Sequence, residues 1–523
     1  MRNAIAAFFL FAGAQCSAQL IDRTKAPNPI NEGIAKSLEQ EIGAGRGDWN
    51  TPNSSSFLIQ RDPFRAIRRG RQLFQRKFQH LSGAENTFYA RDGSGSIESN
   101  LAIGAGLADS CSSCHGRPRG SAGFGGDVVT RPDSRDAPHL FGLGLKEMLA
   151  DEITAELRDR RLQAVTEAAA SHQAVTRLLT AKGIQYGTIT ANPNGTVDTS
   201  KVEGVDPDLR VRPFFAHGGT MSIREFIAGA MNNEMGFQCF DPEITAAGGN
   251  KSLAITPAGM VLDGRTDTIE MPPDPDPSKV QSGQSPRNQM ATAVVDYLEF
   301  YLLNYFKPGL YEQTPAVLRG RETFDRIGCG SCHISNLRID RDRRVADLET
   351  VYDPDRGNFN HLFATATPLI QVIDDGNGLP TRKVPKMEPF LVKNIFTDFK
   401  RHDLGPNFWE RNYDGTYQHQ FLTAALWGVG TTAPYGHDGR SANLAEVILR
   451  HGGEAQSVRD RFAALTDTDR TELLEFLRSL VLFPPDDTAS TLDPGDKLAV
   501  GFPQLRHGAI KLTVLFNDPA EIE

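Results

Sequence analysis

The chain has 523 residues, with 56 Lys plus Arg against 65 Asp plus Glu and a formal charge of −9. That length leaves room for two or three domains, and the acidic balance excludes a protein whose affinity comes from neutralising nucleic-acid phosphates. With 39% hydrophobic and 23% charged residues the composition is that of a globular protein, neither disordered nor membrane-embedded.

Residues 1–18 open with Met1-Arg2-Asn3, continue as an apolar run from Ala4 to Ala14 and end in Gln15-Cys16-Ser17-Ala18. A charged start, a short apolar middle and a small-residue end predict a secretory signal cleaved after Ala18, and hence a periplasmic or otherwise exported protein. No later segment approaches the roughly 20 apolar residues needed to span a bilayer. Residues 19–59 read as an N-terminal extension.

Five cysteines follow the signal, and four fall into two copies of one pattern, Cys111-Ser112-Ser113-Cys114-His115 and Cys329-Gly330-Ser331-Cys332-His333. Two thiols one helical turn apart can form thioethers to the two vinyl groups of a haem, while the next His turns its imidazole onto the iron. Structural disulfides, a four-thiolate zinc site or a redox pair would not require a His directly after each pair. The pattern therefore predicts two covalently bound haem c groups, with His115 and His333 as proximal iron ligands. The odd thiol, Cys239, reads as a small buried hydrophobe.

An approach sequence precedes each copy. Arg69-Gly70-Arg71-Gln72-Leu73-Phe74 stands before the first and Arg319-Gly320-Arg321-Glu322-Thr323-Phe324 before the second. Gly320 lies 9 residues before Cys329 but Gly70 lies 41 before Cys111, so the first copy carries an insertion rich in Gly, Ser and Asn. Each copy also closes with an amphipathic helix, through Ala291, Val294, Val295, Leu298, Leu302 and Tyr305 in the first and Leu473, Leu474, Leu477, Leu480 and Val481 in the second. The expected fold is mainly α, with two cytochrome c-like haem domains at 60–308 and 316–485, a linker at 309–315 and a tail at 486–523. A long insertion at about 135–287 would bring its own helices, Leu145 to Lys182 and Ser222 to Asn232. In the tail, Leu512–Phe516 predicts a short edge strand.

The C-terminal half resembles the di-haem oxidoreductases, also called thiol oxidoreductases, which are related to bacterial di-haem cytochrome c peroxidases. Phe399-Lys-Arg-His-Asp-Leu-Gly-Pro406, Ala425-Leu-Trp-Gly-Val-Gly430, Thr432-Ala-Pro-Tyr-Gly-His-Asp-Gly-Arg440 and His451-Gly-Gly-Glu-Ala455 carry that resemblance. Pro138-His-Leu-Phe-Gly-Leu-Gly144 and Asp206–Pro213 look like it too. The resemblance implies His451 as the distal ligand of the second haem, with Met387 as the rival from single-haem spacing. It implies a relay role for that haem and a peroxidase-like first haem. Met231-Asn-Asn-Glu234-Met-Gly-Phe237 resembles a segment in which a loop acid handles protons over the catalytic haem, which makes Glu234 the candidate acid. Phe237 is the candidate pocket ring, as in the rubber-cleaving relatives. A calcium ion between the domains is also implied, although no residue pattern here encodes it.

Beside the resemblance, the residues suggest further roles. Arg440 has the planar fork that suits a haem propionate, and Trp427 suits packing against a haem or an electron path between two. For the first haem's distal side Met148, Met221, Met231, Met235, His139 and His217 stay open. The expected partners are a small oxidant such as peroxide and an electron-donor protein. A plain electron-transfer cytochrome, and a dioxygenase or protein-modifying enzyme on the same scaffold, are the alternatives.

Overall fold

The computed structural model describes residues 37–78, 108–117, 121–128, 135–235, 237, 239–271, 290–356, 361–412, 414–482 and 500. The expected signal at 1–18, most of the insertion before Cys111 and the tail strand at Leu512–Phe516 lie outside the described residues.

The helices that position the site are α1 (Pro63–Gln75), α2 (Leu143–Ser171), α3 (Ile223–Asn233), α4 (Thr292–Leu303), α5 (Pro315–Arg326), α6 (Leu444–Arg450) and α7 (Asp467–Arg478). Several are capped as their sequences dictate. Asp62 accepts from Arg65 N ahead of Pro63 in α1, Thr314 accepts from Val317 N ahead of Pro315 in α5, and Ser222 with Glu225 forms a capping box on α3.

The duplicated approach sequence is a duplicated helix crossing. α1 packs on α4, and α5 packs on α7. The repeated glycine is the contact point in both, because a Cβ on Gly70 would stand 2.2 Å from the Tyr297 carbonyl oxygen and one on Gly320 would stand 1.9 Å from that of Glu472. Only a residue without a side chain lets the two backbones approach so closely. The repeated aromatic follows: Phe74 meets Tyr301 of α4 edge-on at 5.7 Å, and Phe324 meets Phe476 of α7 at 5.5 Å.

The mainly-α expectation does not hold. Helix accounts for 36% and strand for 21%, the strands forming many small antiparallel sheets rather than a cytochrome c-like all-helical framework. The helix expected from Leu145 to Lys182 stops at Ser171, where His172 takes a left-handed φ of 54°. Past it, Val175–Ala181 alternates between the faces of a three-stranded sheet with Ile184–Ala191 and Val197–Val202. Burial alternates along this strand, and β-branched Val175, Thr176 and Thr180 favour a pleated surface over another helical turn. The second half departs from the mainly-α expectation too: Ala346–Tyr352 pairs in full register with Leu362–Pro368, inside the domain expected at 316–485. The closing helix of that half also ends at Arg478, and Leu480–Val481 instead pairs with Gly309–Leu310.

One ion cluster fixes α3 against α4. Arg224, fully buried in the first turn of α3, reaches Asp296 at 3.0 Å and Glu299 at 2.7 Å on α4, and Asp241 at 2.7 Å. Arg46 joins from the N-terminal segment through Asp296 and Glu243. Charges this deep persist only when paired and hydrogen-bonded.

The glycine crossings give a stability prediction. Gly320→Ala should cost about 1–3 kcal/mol, because the colliding atom is backbone and cannot step aside. Gly229→Ala on α3, where a Cβ meets nothing within 4 Å, should be neutral or stabilising by up to about 1 kcal/mol. Guanidinium unfolding of the two variants checks the pair. Equal effects would mean that the crossing is not tight.

Candidate haem site

Cys111–His115 forms a single helical turn and Cys329–Ser331 a 3₁₀ turn, so each motif brings its two sulfurs to one side and presents the following imidazole beside them. Both turns open on one continuous cavity of about 570 Å³, lined by Cys111, Cys114 and His115 and also by Cys329, Cys332 and His333. Among the described residues the cysteines form no disulfide, and the two pairs are not gathered into a shared metal cluster. Burial pushes Cys111 and Cys329 up to about 12, the opposite of the lowered thiol an activated redox pair needs.

The two imidazoles are held alike. His115 donates from Nδ1 to the Pro138 carbonyl at 2.8 Å, and His333 donates from Nδ1 to the Phe396 carbonyl at 2.9 Å. A carbonyl can only accept, so the proton sits on Nδ1 and the Nε2 lone pair is left for a metal. Burial lowers both, His333 to about 4, which keeps the rings neutral. Aromatic rings wedge each one, Phe226 against His115 and Phe324 against His333, both at 6.2 Å.

A third imidazole repeats this arrangement. His451, just past α6, donates from Nδ1 to the Val447 carbonyl at 2.7 Å, is packed edge-on by Phe408 at 5.3 Å, and lines the cavity near enough to act on the charge of His333. Met387 does not reach the cavity lining and is 38% exposed. A neutral, oriented imidazole on each side fits a six-coordinate iron at the second motif.

The first motif faces different chemistry. Ile227, Ala230, Met231 and Glu234 follow one another at helical spacing along α3 and its C-terminus, and all four line the cavity with Met235. Burial raises the Cys114 thiol and the Glu234 carboxylate adds to that, which sets the acid beside the first motif. Of the other open candidates, Met148 and Met221 belong to the packed core away from the lining, and His217 is not among the lining residues. His139 lines the cavity but gives its Nε2 to the Trp427 carbonyl at 3.0 Å.

The remaining candidates divide. Trp427 is buried and lines the cavity. Phe237 is equally buried but packs on Phe78 at 6.2 Å and is not among the lining residues. Arg440 lies outside the lining, with its side chain 59% exposed and its Nε 2.6 Å from Asp438. His437 does line the cavity, stacked on Phe421 at 4.1 Å with Nε2 3.7 Å from Glu410. Among the described residues, the side chains that could converge on a cation are Cys332, Asp398 and His402. A thiol and an imidazole are not the oxygen donors that calcium takes.

Sequence reasoning gave His402 no role. Its Nε2 is 2.9 Å from Asp398 and its Nδ1 2.7 Å from Glu454, and since both partners are carboxylates both ring nitrogens carry protons. The one available hint was its place in Phe399–Pro406; the acid partners come from a tight turn and from Glu454, 52 residues on.

With this geometry in place, comparison with known families is informative. Residues 386–480 match the di-haem oxidoreductase family. Its full description is "Di-haem oxidoreductase, putative peroxidase", which bears out the resemblance and gives a haem-dependent oxidoreductase in general terms. The matched stretch contains His402, Trp427, His437, Arg440 and His451, and neither C-x-x-C-H motif. No curated protein sequence matches the chain. Among the described residues, no helix is long and apolar enough to cross a membrane.

The His402 clamp has a pH consequence. Burial alone would lower this imidazole, but its hydrogen bonds to Asp398, Cys332 and Glu454 outweigh that and raise it to about 11. Its contribution to stability is therefore full below the unfolded value near 6.5, declines as pH rises from there, and is gone above about 11. Unfolding midpoints at pH 6, 8 and 10 should fall more steeply for the parent than for His402→Gln. Parallel lines for the two proteins would mean the clamp is not charged.

Proposed function

We propose that the chain is an exported di-haem c-type oxidoreductase in which one haem is bound at Cys111, Cys114 and His115 and the other at Cys329, Cys332 and His333. The observation that carries this reading is that both C-x-x-C-H turns open on one cavity with their imidazoles oriented by backbone carbonyls. The two haems would supply redox centres able to store electrons and to bind an oxidant at an open iron. Export follows from the charged and apolar character of residues 1–18, which also suits haem attachment outside the cytoplasm.

The chain's own residues then divide the work. His333 and His451 would both hold the second haem, and a bis-imidazole site would be closed to substrate and suited to relaying electrons from a donor protein. His115 would hold the first haem, and α3 presents Met231, Glu234 and Met235 to the cavity. The oxidant read as best suited is a peroxide, whose reduction to two waters consumes two electrons and two protons. Glu234 would accept a proton from one oxygen of the peroxide and return it to the other, as a base and then an acid. Phe214, Phe226 and Leu298 keep water from that region.

Electron paramagnetic resonance on the oxidised and half-reduced protein tests the division. One low-spin and one high-spin ferric signal, the second present from the start or appearing on half-reduction, is the expected result. Two irons that stay low-spin throughout would make the protein an electron carrier. His451→Ala should turn the second haem high-spin with both haems still attached, and an unchanged spectrum would remove that ligand. Glu234→Gln should slow peroxide turnover by about a hundredfold or more with the ferric spectrum intact. Parental rates would end the proton-handling role.

A further inference from the structure

Between the two motifs the cavity wall carries polar groups that the mechanism does not use. Lys146, in the first turn of α2, lines the cavity with its Nζ 6.0 Å from the centre of the Trp427 ring. No carboxylate lies within ion-pair distance of it among the described residues, and burial lowers the amine to about 8. Most other buried cations in this protein are matched: Arg135 meets Glu410 at 2.6 Å, Arg343 meets Glu147 at 2.7 Å, and Arg224 has its own cluster.

Trp427 supplies the second observation. It is 4% exposed, its ring sits against Gly142 where a Cβ would come within 2.7 Å, and its Nε1–H is buried without a hydrogen-bond partner. An indole N–H is a donor only, and a buried donor left unpaired costs about 1–3 kcal/mol, so on a residue that lines the cavity it calls for an acceptor. His139 does not supply one. Burial and Lys146 push it down to about 3, and the neutral ring spends its N–H on the Trp427 carbonyl.

The N-terminus of α2 adds to the same local field. Its cap, Gly142, offers no side-chain hydrogen bond, and its first turn carries no acidic residue, so the positive pole of a 29-residue helix is uncompensated there. An ammonium, an indole N–H and a helix N-terminus together suit an anion with two acceptor oxygens.

We propose that Lys146 and Trp427 Nε1 form a carboxylate-binding site at the head of α2, between the two C-x-x-C-H motifs. Two sources share this chemistry: a propionate of a bound haem, which rests on the function proposed above, or the carboxylate of a free small molecule. In either case Lys146 is the charge partner and Trp427 orients the group. A propionate held there ties the electrostatics of a haem to a residue of α2, well outside the family-matched stretch.

The test uses the full-length holoprotein, with attached haem counted first from its alkaline pyridine spectrum. Midpoint potentials are measured for the parent, Lys146→Met and Lys146→Arg, and acetate is titrated into each while the Soret band is followed. If a propionate fills the site, one haem's potential falls in Lys146→Met, because a cation favours the more electron-rich reduced state. It recovers in Lys146→Arg, and acetate has no effect. If a free carboxylate fills it, acetate gives a saturable shift in the parent that weakens roughly tenfold or more in Lys146→Met, as loss of a charge-assisted hydrogen bond predicts. Unchanged potentials together with no acetate response would overturn the site. A protein without attached haem would instead overturn the proposed function, and the acetate titration, read by tryptophan fluorescence, would then decide the site alone.

Discussion

The structure turns on how two imidazoles spend their Nδ1 protons. Each one goes to a backbone carbonyl, Pro138 for His115 and Phe396 for His333, at 2.8 and 2.9 Å. That bond fixes tautomer and ring direction together, and the surrounding elements serve to hold the two carbonyls in place. The loop bearing Pro138 is tied down where Leu140 N bonds to Ala122 O and Gly142 N to Phe306 O, at the end of α4. Phe396 is wedged between Phe324 of α5 and Phe476 of α7, at 5.6 and 5.7 Å. The glycine crossings are what bring those helices close enough to do this.

From that shared frame the halves diverge. His451 lines the same cavity as His333 and is oriented by the same kind of bond, which suits the relay role proposed for the second motif. Near His115, α3 instead presents Met231, Glu234 and Met235. The difference has a mechanical origin, since α3 is held on α4 by Arg224, whereas α6 belongs to the segment that continues into α7. The repeated helix crossing thus carries one motif that shares the cavity with a further oriented imidazole and one that shares it with the residues of α3.

These features were legible to different depths. Both C-x-x-C-H turns, the repeated Arg-Gly-Arg and the family stretches near the C-terminus could be read because each depends on a few residues at short, fixed spacing. The strands could not be read the same way. Val175–Ala181 continues a long apolar-periodic helix with no proline to end it, and Ala346–Tyr352 finds its partner only after a turn of its own. In both strands it is the burial that alternates, and burial becomes visible only once the chain has folded. His402 and Lys146 escaped for another reason: a lone His or Lys acquires meaning only from what is folded against it.

The buried charges sort into two kinds. Around Arg224 the arrangement is closed, with two guanidinium groups against four carboxylates, Asp296 held low by Arg224 and Arg46 despite its burial, and Glu299 pushed up to about 7 by burial. Such a cluster balances its charge by sharing protons, and its effect is to fix α3 and with it the position of Glu234. In the cavity wall the arrangement is open. Burial holds the Cys111 and Cys329 thiols and the three oriented imidazoles neutral, Arg135 is matched by Glu410, and among the described residues Lys146 is a lining cation with no carboxylate at ion-pair distance, beside the head of a helix. Desolvating a cation without a partner is costly unless an anion arrives to share the space. The anion proposed for the head of α2 would meet that cost, which makes the first turn of this helix the source of the local field.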